Sequence, residues 1–195
     1  IYTLSLHDAL PISSWGVDPK AVRFREVVDP EKFRSQHDAL AQYYRDHGIQ
    51  VFYTPGVRED RPNAVFCRDK LFMTPEGAII CRLGMAERRG EERYVAQACA
   101  DLGIPIVKTI AGDGIFEGAN AMWVDRCCVI LSLSVRANRS GYDQMASELT
   151  RQGVTDVIPM QIPYGHCHID GLLNIASEDT VLIHAMQVQI GRAHV

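Results

Sequence analysis

The chain has 195 residues, 47% of them hydrophobic, and 20 Lys and Arg against 24 Asp and Glu give a formal net charge of −4. This mild acidity, with no Lys/Arg-rich run, argues against nucleic acid as a partner, and no apolar run approaches the roughly 18 residues of a membrane span. The length and apolar content fit one soluble domain or a large piece of one. Six cysteines, at 67, 81, 99, 127, 128 and 167, form no CxxC pair; with no secretory signal, they read as reduced thiols in a cytoplasmic protein.

The chain opens on "IYTLSLHDALPI" (1–12), which has neither a charged leader nor a long apolar stretch, and closes on "IGRAHV" (190–195). Both ends resemble read-through of sequencing-library adapters and are set apart from the fold. Residues 13–189 are then the native part, an internal piece of a longer protein. Asp8 and Arg192 leave with the ends, so the net charge stays at −4.

The first predicted helix is "PEKFRSQHDALAQYYRDHG", followed by the β-rich "IQVFYT". A hairpin comes next, with "KLFMT" and "AIICRL" around the turn "PEG". It leads into the helix "GEERYVAQACADLG" and the strand "IPIVKTI". A second hairpin, "AMWV" and "CVILSLS" around "DRC", precedes the helix "GYDQMASELTRQG" and the strand "VTDVIPM". A third, "GLLNIA" and "TVLIH" around "SED", opens a further unit. In the third helix Tyr142, Met145, Ala146 and Leu149 recur at helical spacing. Gly48, Gly103 and Gly153 stand where each helix needs a left-handed C-terminal cap, about 50 residues apart. The module is strand, strand, helix, strand, shown about three times; an ordinary α/β sandwich with coincidental spacing is the alternative.

Polar residues interrupt this pattern in the loops beside strands: Asn63 and Asp69 in "PNAVFCRD", Glu117 in "FEGAN", Arg136 in "SVRAN", and His168 and Asp170 in "HCHID". Singly, each has a plain structural explanation. Together, several carboxylates with a His, an Arg and an Asn suit a cationic substrate that also carries a carboxylate. A guanidinium is planar, permanently charged and offers five donors in a fixed fork that carboxylates grip bidentately.

The ordered set "PNAVFCRD…R…FEGAN…SVRAN…HCHID" resembles the guanidino-group-modifying enzymes: arginine deiminase, dimethylarginine dimethylaminohydrolase and the amidinotransferases. The resemblance runs from about Asn63 to about Thr180. It implies a pentein α/β propeller, five strand–strand–helix–strand modules around a central site, of which about three are present. It makes 13–189 a partial catalytic domain. The roles it implies are guanidinium binding for Asp69 and Asp170, an acidic partner of the catalytic His for Glu117, and general acid/base for His168. Arg136 and Arg88 would bind the substrate carboxylate, and Asn63 would be a polar substrate contact. Asn120 and Ala137 stand where the family often has Asp and Thr.

The implied chemistry is covalent: a Cys thiolate attacks the guanidinium carbon, and His168 protonates the departing amine and then activates water. No metal or organic cofactor is implied; the partner is a small guanidino molecule, with a homo-oligomer left open. None of the six cysteines stands where the family places its nucleophile, so the fragment is expected to be inactive, with an unpaired sheet edge. Strand alternation would point Cys167 away from His166 and His168, which makes it a packing residue rather than a zinc ligand; Cys127 and Cys128 read as structural. An amidinotransferase and a non-catalytic binding pentein are the alternative functions.

Overall fold

The three predicted helices form, and their caps explain their ends. In the computed structural model, which describes residues 2–5, 18–22, 24–54 and 61–188, α1 (Pro30–Asp46) begins at Asp29, whose carboxylate accepts the N–H groups of Glu31 and Lys32. Pro30 occupies the first turn, where its missing donor has no consequence. α2 spans Glu92–Asp101. α3 (Arg139–Arg151) is capped by the Asn138 side chain, which accepts from Gly141 N–H. Gly48, Gly103 and Gly153 follow the three helices with φ of +74°, +67° and +91°, the left-handed backbone that lets the chain leave a helix.

Two sheets share one topology. β3 (Leu71–Thr74) and β4 (Gly77–Ile80) form an antiparallel hairpin, α2 crosses over, and β5 (Ile106–Thr109) returns parallel to β4. β6 (Ala121–Trp123) and β7 (Cys128–Leu133) repeat the hairpin, and after α3 the strand β8 (Asp156–Gln161) runs parallel to β7. β9 (Leu173–Ser177) and β10 (Thr180–Ile183) form a third hairpin. A short 3-10 turn leads into each: Cys67–Asp69, Gly118–Asn120 and Ile169–Gly171 start at a constant step of 51 residues.

The strand after α1, β2 (Gln50–Tyr53), pairs in parallel with β1 (Tyr2–Ser5). Residues 2–5 lie in the end set apart from the fold in the sequence reading. This pairing is backbone to backbone, which an exposed edge offers to any extended segment, and is therefore silent on the segment's origin. The rest of 1–12, and 190–195, lie outside the described residues.

Three apolar clusters fix the turns. Met145 and Leu149 of α3 pack with Ile79, Phe116, Val129 and Leu131 between the two sheets. Val95 and Cys99 of α2 pack on Leu71, Ala78 and Ile80. Ile162, Ile169 and Leu172 form the third, so the turn carrying Asp170 is anchored through its own fully buried Ile169. Burial of each such side chain contributes about 1.5–3 kcal/mol. By contrast, Val181 and Leu182 of β10 are 52% and 62% exposed, since among the described residues no helix covers that hairpin as α2 covers β4. No described helix is long and apolar enough to cross a membrane.

Candidate active site

The repeated turns deliver the polar residues to one place. Asn63, Asp69, Arg88, Arg136, His168 and Asp170 all line a single cleft of about 640 Å³. Glu117 lies behind it, fully buried, at the residue preceding the Gly118–Asn120 turn. His168 holds the equivalent position before Ile169–Gly171. Gly118 makes this approach possible: a Cβ there would stand 2.3 Å from the Leu71 carbonyl oxygen and 2.6 Å from that of Arg68.

At the centre, His168 Nε2 is 2.6 Å from Glu117 Oε2 and 3.8 Å from Asp69 Oδ1. The other Glu117 oxygen accepts Gly84 N–H at 3.0 Å and lies 3.5 Å from an Arg136 nitrogen. Burial pushes the Glu117 carboxyl up, but hydrogen bonds from His168 and Gly84 and the charges of His168 and Arg136 outweigh it and hold the pKa below its ordinary value. Glu117 is therefore a carboxylate that only accepts, so His168 Nε2 carries the hydrogen. That leaves Nδ1 to take up or release a proton.

Asp69 is held from the other side. An Arg88 Nη donates to Asp69 Oδ2 at 2.6 Å, and Arg88 Nε and its second Nη donate to Glu91 Oε2 at 3.1 and 3.0 Å. That second Nη also donates to the carbonyls of Asn63 and Phe66. Arg88 lines the cleft as expected, and its guanidinium also holds Asp69 and Glu91. Asp170 faces the cleft beside Arg68, with Arg68 Nε 3.7 Å from its carboxylate. Arg68 also donates to the carbonyls of Ala121 and Gly118, tying the first turn to the second.

Several neighbours escaped the sequence reading. Glu91 is fully buried; burial pushes its pKa up more than Arg88 pulls it down, and its Oε1 has no partner among the described residues. Lys70 is also fully buried, donates to the Ala64 carbonyl, and has its pKa lowered by burial. Nothing in the sequence marks either, because a charged residue next to a strand or helix is normally exposed. Phe24 and Arg25 also line the cleft. Cys167 lines the cleft too. This corrects the alternation argument, which assumed a strand where 162–168 is irregular. Cys127 is exposed and Cys128 half-buried, so neither is a core residue.

Asp69, Glu117 and His168 each offer one ligand atom within 4.8 Å of the others. A cation there would have to displace the Glu117–His168 hydrogen bond, and the same donors suit a bound guanidinium with an acid/base beside it.

The α/β fold and the family match together place the chain in the pentein guanidino-group-modifying superfamily. Within it, residues 20–190 match the model of the family described as N,N dimethylarginine dimethylhydrolase, eukaryotic, and the chain belongs to that family. It is 27% identical over 154 residues to the uncharacterized protein YkgA of Bacillus subtilis (strain 168), covering 79% of this chain and 51% of that one. It is 28% identical over 127 residues to the N(G),N(G)-dimethylarginine dimethylaminohydrolase of Pseudomonas aeruginosa, covering 65% and 49%. The chain therefore spans about half the length of these curated relatives. Among solved structures, a mutant dimethylarginine dimethylaminohydrolase from Pseudomonas aeruginosa complexed with citrulline superposes with a TM-score of 0.73 at 22% identity, over 93% of this chain and 68% of that one. The N-terminal domain of ArgZ, a cyanobacterial arginine dihydrolase bound to its substrate, gives 0.77 at 18%, over 94% and 66%.

Proposed function

We propose that this chain is part of a pentein propeller hydrolase acting on the guanidino carbon of arginine or a methylated arginine. The observation that carries the reading is the His168–Glu117 pair at 2.6 Å with Asp69 Oδ1 at 3.8 Å from the same nitrogen, in one cleft. Carboxylates there would hold a guanidinium flat, and the imidazole stands beside it with one nitrogen committed and one available. Asp69 and Asp170 bind the cation, Glu117 orients His168, Asn63 is a polar contact, and Arg136 serves the substrate carboxylate.

In the reaction a thiolate forms a bond to the guanidinium carbon, giving a tetrahedral adduct. His168 donates a proton as the amine leaves, and a thiouronium remains on sulfur. His168 then takes a proton from water as that water attacks; the C–S bond breaks and the remaining hydroxyl proton passes to solvent, releasing the neutral ureido product and the thiolate. The thiolate comes from a module beyond 13–189, in keeping with the half-length match to the relatives. Burial pushes the Cys67 thiol up, which argues against the one cleft cysteine next to Asp69. The incomplete propeller also accounts for the exposed Val181 and Leu182.

The test is calorimetric titration of L-arginine into the 195-residue chain and into its Asp69→Asn variant. Binding weakened at least tenfold by the substitution supports the reading; equal binding to both overturns it. With the gene extended through the missing modules, a cysteine-dependent release of amine from arginine or methylarginine completes the test.

A further inference from the structure

Ser134 follows β7 at the base of a closed loop. It and Ala137 exchange backbone hydrogen bonds, at 3.2 and 3.3 Å, and Arg136 is carried between them. The Ser134 hydroxyl reaches further. It accepts the Arg136 N–H at 2.9 Å, and it lies 2.7 Å from the Cys167 carbonyl oxygen and 3.1 Å from Asn120 Oδ1. One oxygen therefore touches three segments: the loop carrying Arg136, the residue before His168, and the turn that follows Glu117.

A hydroxyl has one hydrogen to give and lone pairs to accept with. The shorter contact, to the Cys167 carbonyl, takes the hydrogen, and the Arg136 N–H takes a lone pair. Asn120 Oδ1 has a donor of its own in the hydroxyl of the fully buried Ser132, at 2.7 Å. The Cys167 carbonyl, by contrast, accepts no backbone N–H among the described residues, and 163–168 belongs to no strand or helix. Ahead of His168 the backbone is thus tied by a side chain, and behind it by the fully buried Ile169. The imidazole needs that restraint, since its 2.6 Å hydrogen bond to Glu117 weakens steeply with misalignment.

We propose that Ser134 is a positioning residue of this site: by donating to the Cys167 carbonyl it fixes the peptide ahead of His168 and holds the imidazole on Glu117. Ser134 does not itself line the cleft and acts through His168. Its consequence for catalysis rests on the reading of His168 as the acid/base; the positioning is measurable without turnover.

The test is proton NMR of the 195-residue chain with isotope-labelled histidine. The His168 Nε2–H proton, held by a buried carboxylate, stands downfield of other imidazole protons and is assigned by its loss in His168→Gln. Ser134→Ala moves that resonance upfield and makes its proton exchange with water about fivefold faster or more, as loss of one hydrogen bond implies. Ser134→Thr, which keeps the hydroxyl, restores both. Ser132→Ala removes the hydroxyl bonded to the same Asn120 oxygen but not to Cys167; it lowers stability in urea and leaves the resonance in place. Ser134→Cys, near in shape and only a weak donor, repeats the loss where alanine disturbs folding. An unchanged resonance in Ser134→Ala, the same change in Ser132→Ala, or no held proton in the parent overturns the assignment. Arginine titration decides the functional reading separately: a chain that keeps the downfield proton and binds no arginine loses that reading and keeps the positioning role.

Discussion

Replacing Arg88 with Met keeps the stem and removes the charge that two buried carboxylates share. In the parent, Glu91 is fully buried and its Oε2 accepts two hydrogen bonds from Arg88, while Asp69 accepts a third at 2.6 Å. Without Arg88, Glu91 escapes its buried charge by taking a proton. An unfolded Glu titrates at about 4.3 and each pH unit is worth about 1.36 kcal/mol, so that escape costs at most about 3.7 kcal/mol at pH 7, of which the parent's already raised Glu91 pKa carries a part. That upper limit lies within the roughly 3–5 kcal/mol found when one partner of a buried ion pair is removed. The sign with pH follows from a folded pKa raised above the unfolded one: the penalty is full at neutral pH and fades as pH falls toward the unfolded value. Urea denaturation followed by circular dichroism should therefore show Arg88→Met destabilised by about 1–3 kcal/mol at pH 7 and by less at pH 5.5. A loss under about 1 kcal/mol, or the same loss at both pH values, would refute the idea that Arg88 balances buried charge.

Glu117, held below its ordinary pKa, contributes stability that is present above about pH 4.3 and is lost as pH falls through its folded value; urea midpoints should drop in that acid window for the parent and stay flatter for Glu117→Gln. Gly118→Ala forces a Cβ onto two backbone carbonyls and should cost about 1–3 kcal/mol while weakening arginine binding, read by the same denaturation and titration. Burial pushes the thiols of Cys67, Cys81 and Cys99 up, whereas Cys127 is exposed. A disulfide reagent at pH 8 should label Cys127 in the native chain and reach the three buried thiols only on unfolding, with mass spectrometry identifying the sites.

Secondary structure was legible wherever a local rule decided it. Three glycines mark helix ends, and the recurrence near 50 residues resolves to a step of 51 between turns. The residues that meet in the cleft were legible by type, since each interrupts an apolar pattern beside a strand. What escaped depends on partners far along the chain. Arg88 was legible as a cleft residue, but the sequence does not show that Asp69, 19 residues away, and Glu91 close on it. Lys70 and Glu91 carry no mark of burial until opposing elements pack over them. Cys167 was misplaced because alternation was applied to a segment with no strand.

The cleft is built from side chains carried by successive turns, and no single repeat contains a complete set. A ligand seated there spans segments that meet only when the chain is folded, so it binds the native state and not the unfolded one. By mass action, ligand at a hundred times its dissociation constant adds about 2.7 kcal/mol to folding, or roughly 5–10 °C in melting temperature for a chain of this size. Thermal melting in the presence of a panel of guanidino compounds would thus rank candidate ligands without any turnover.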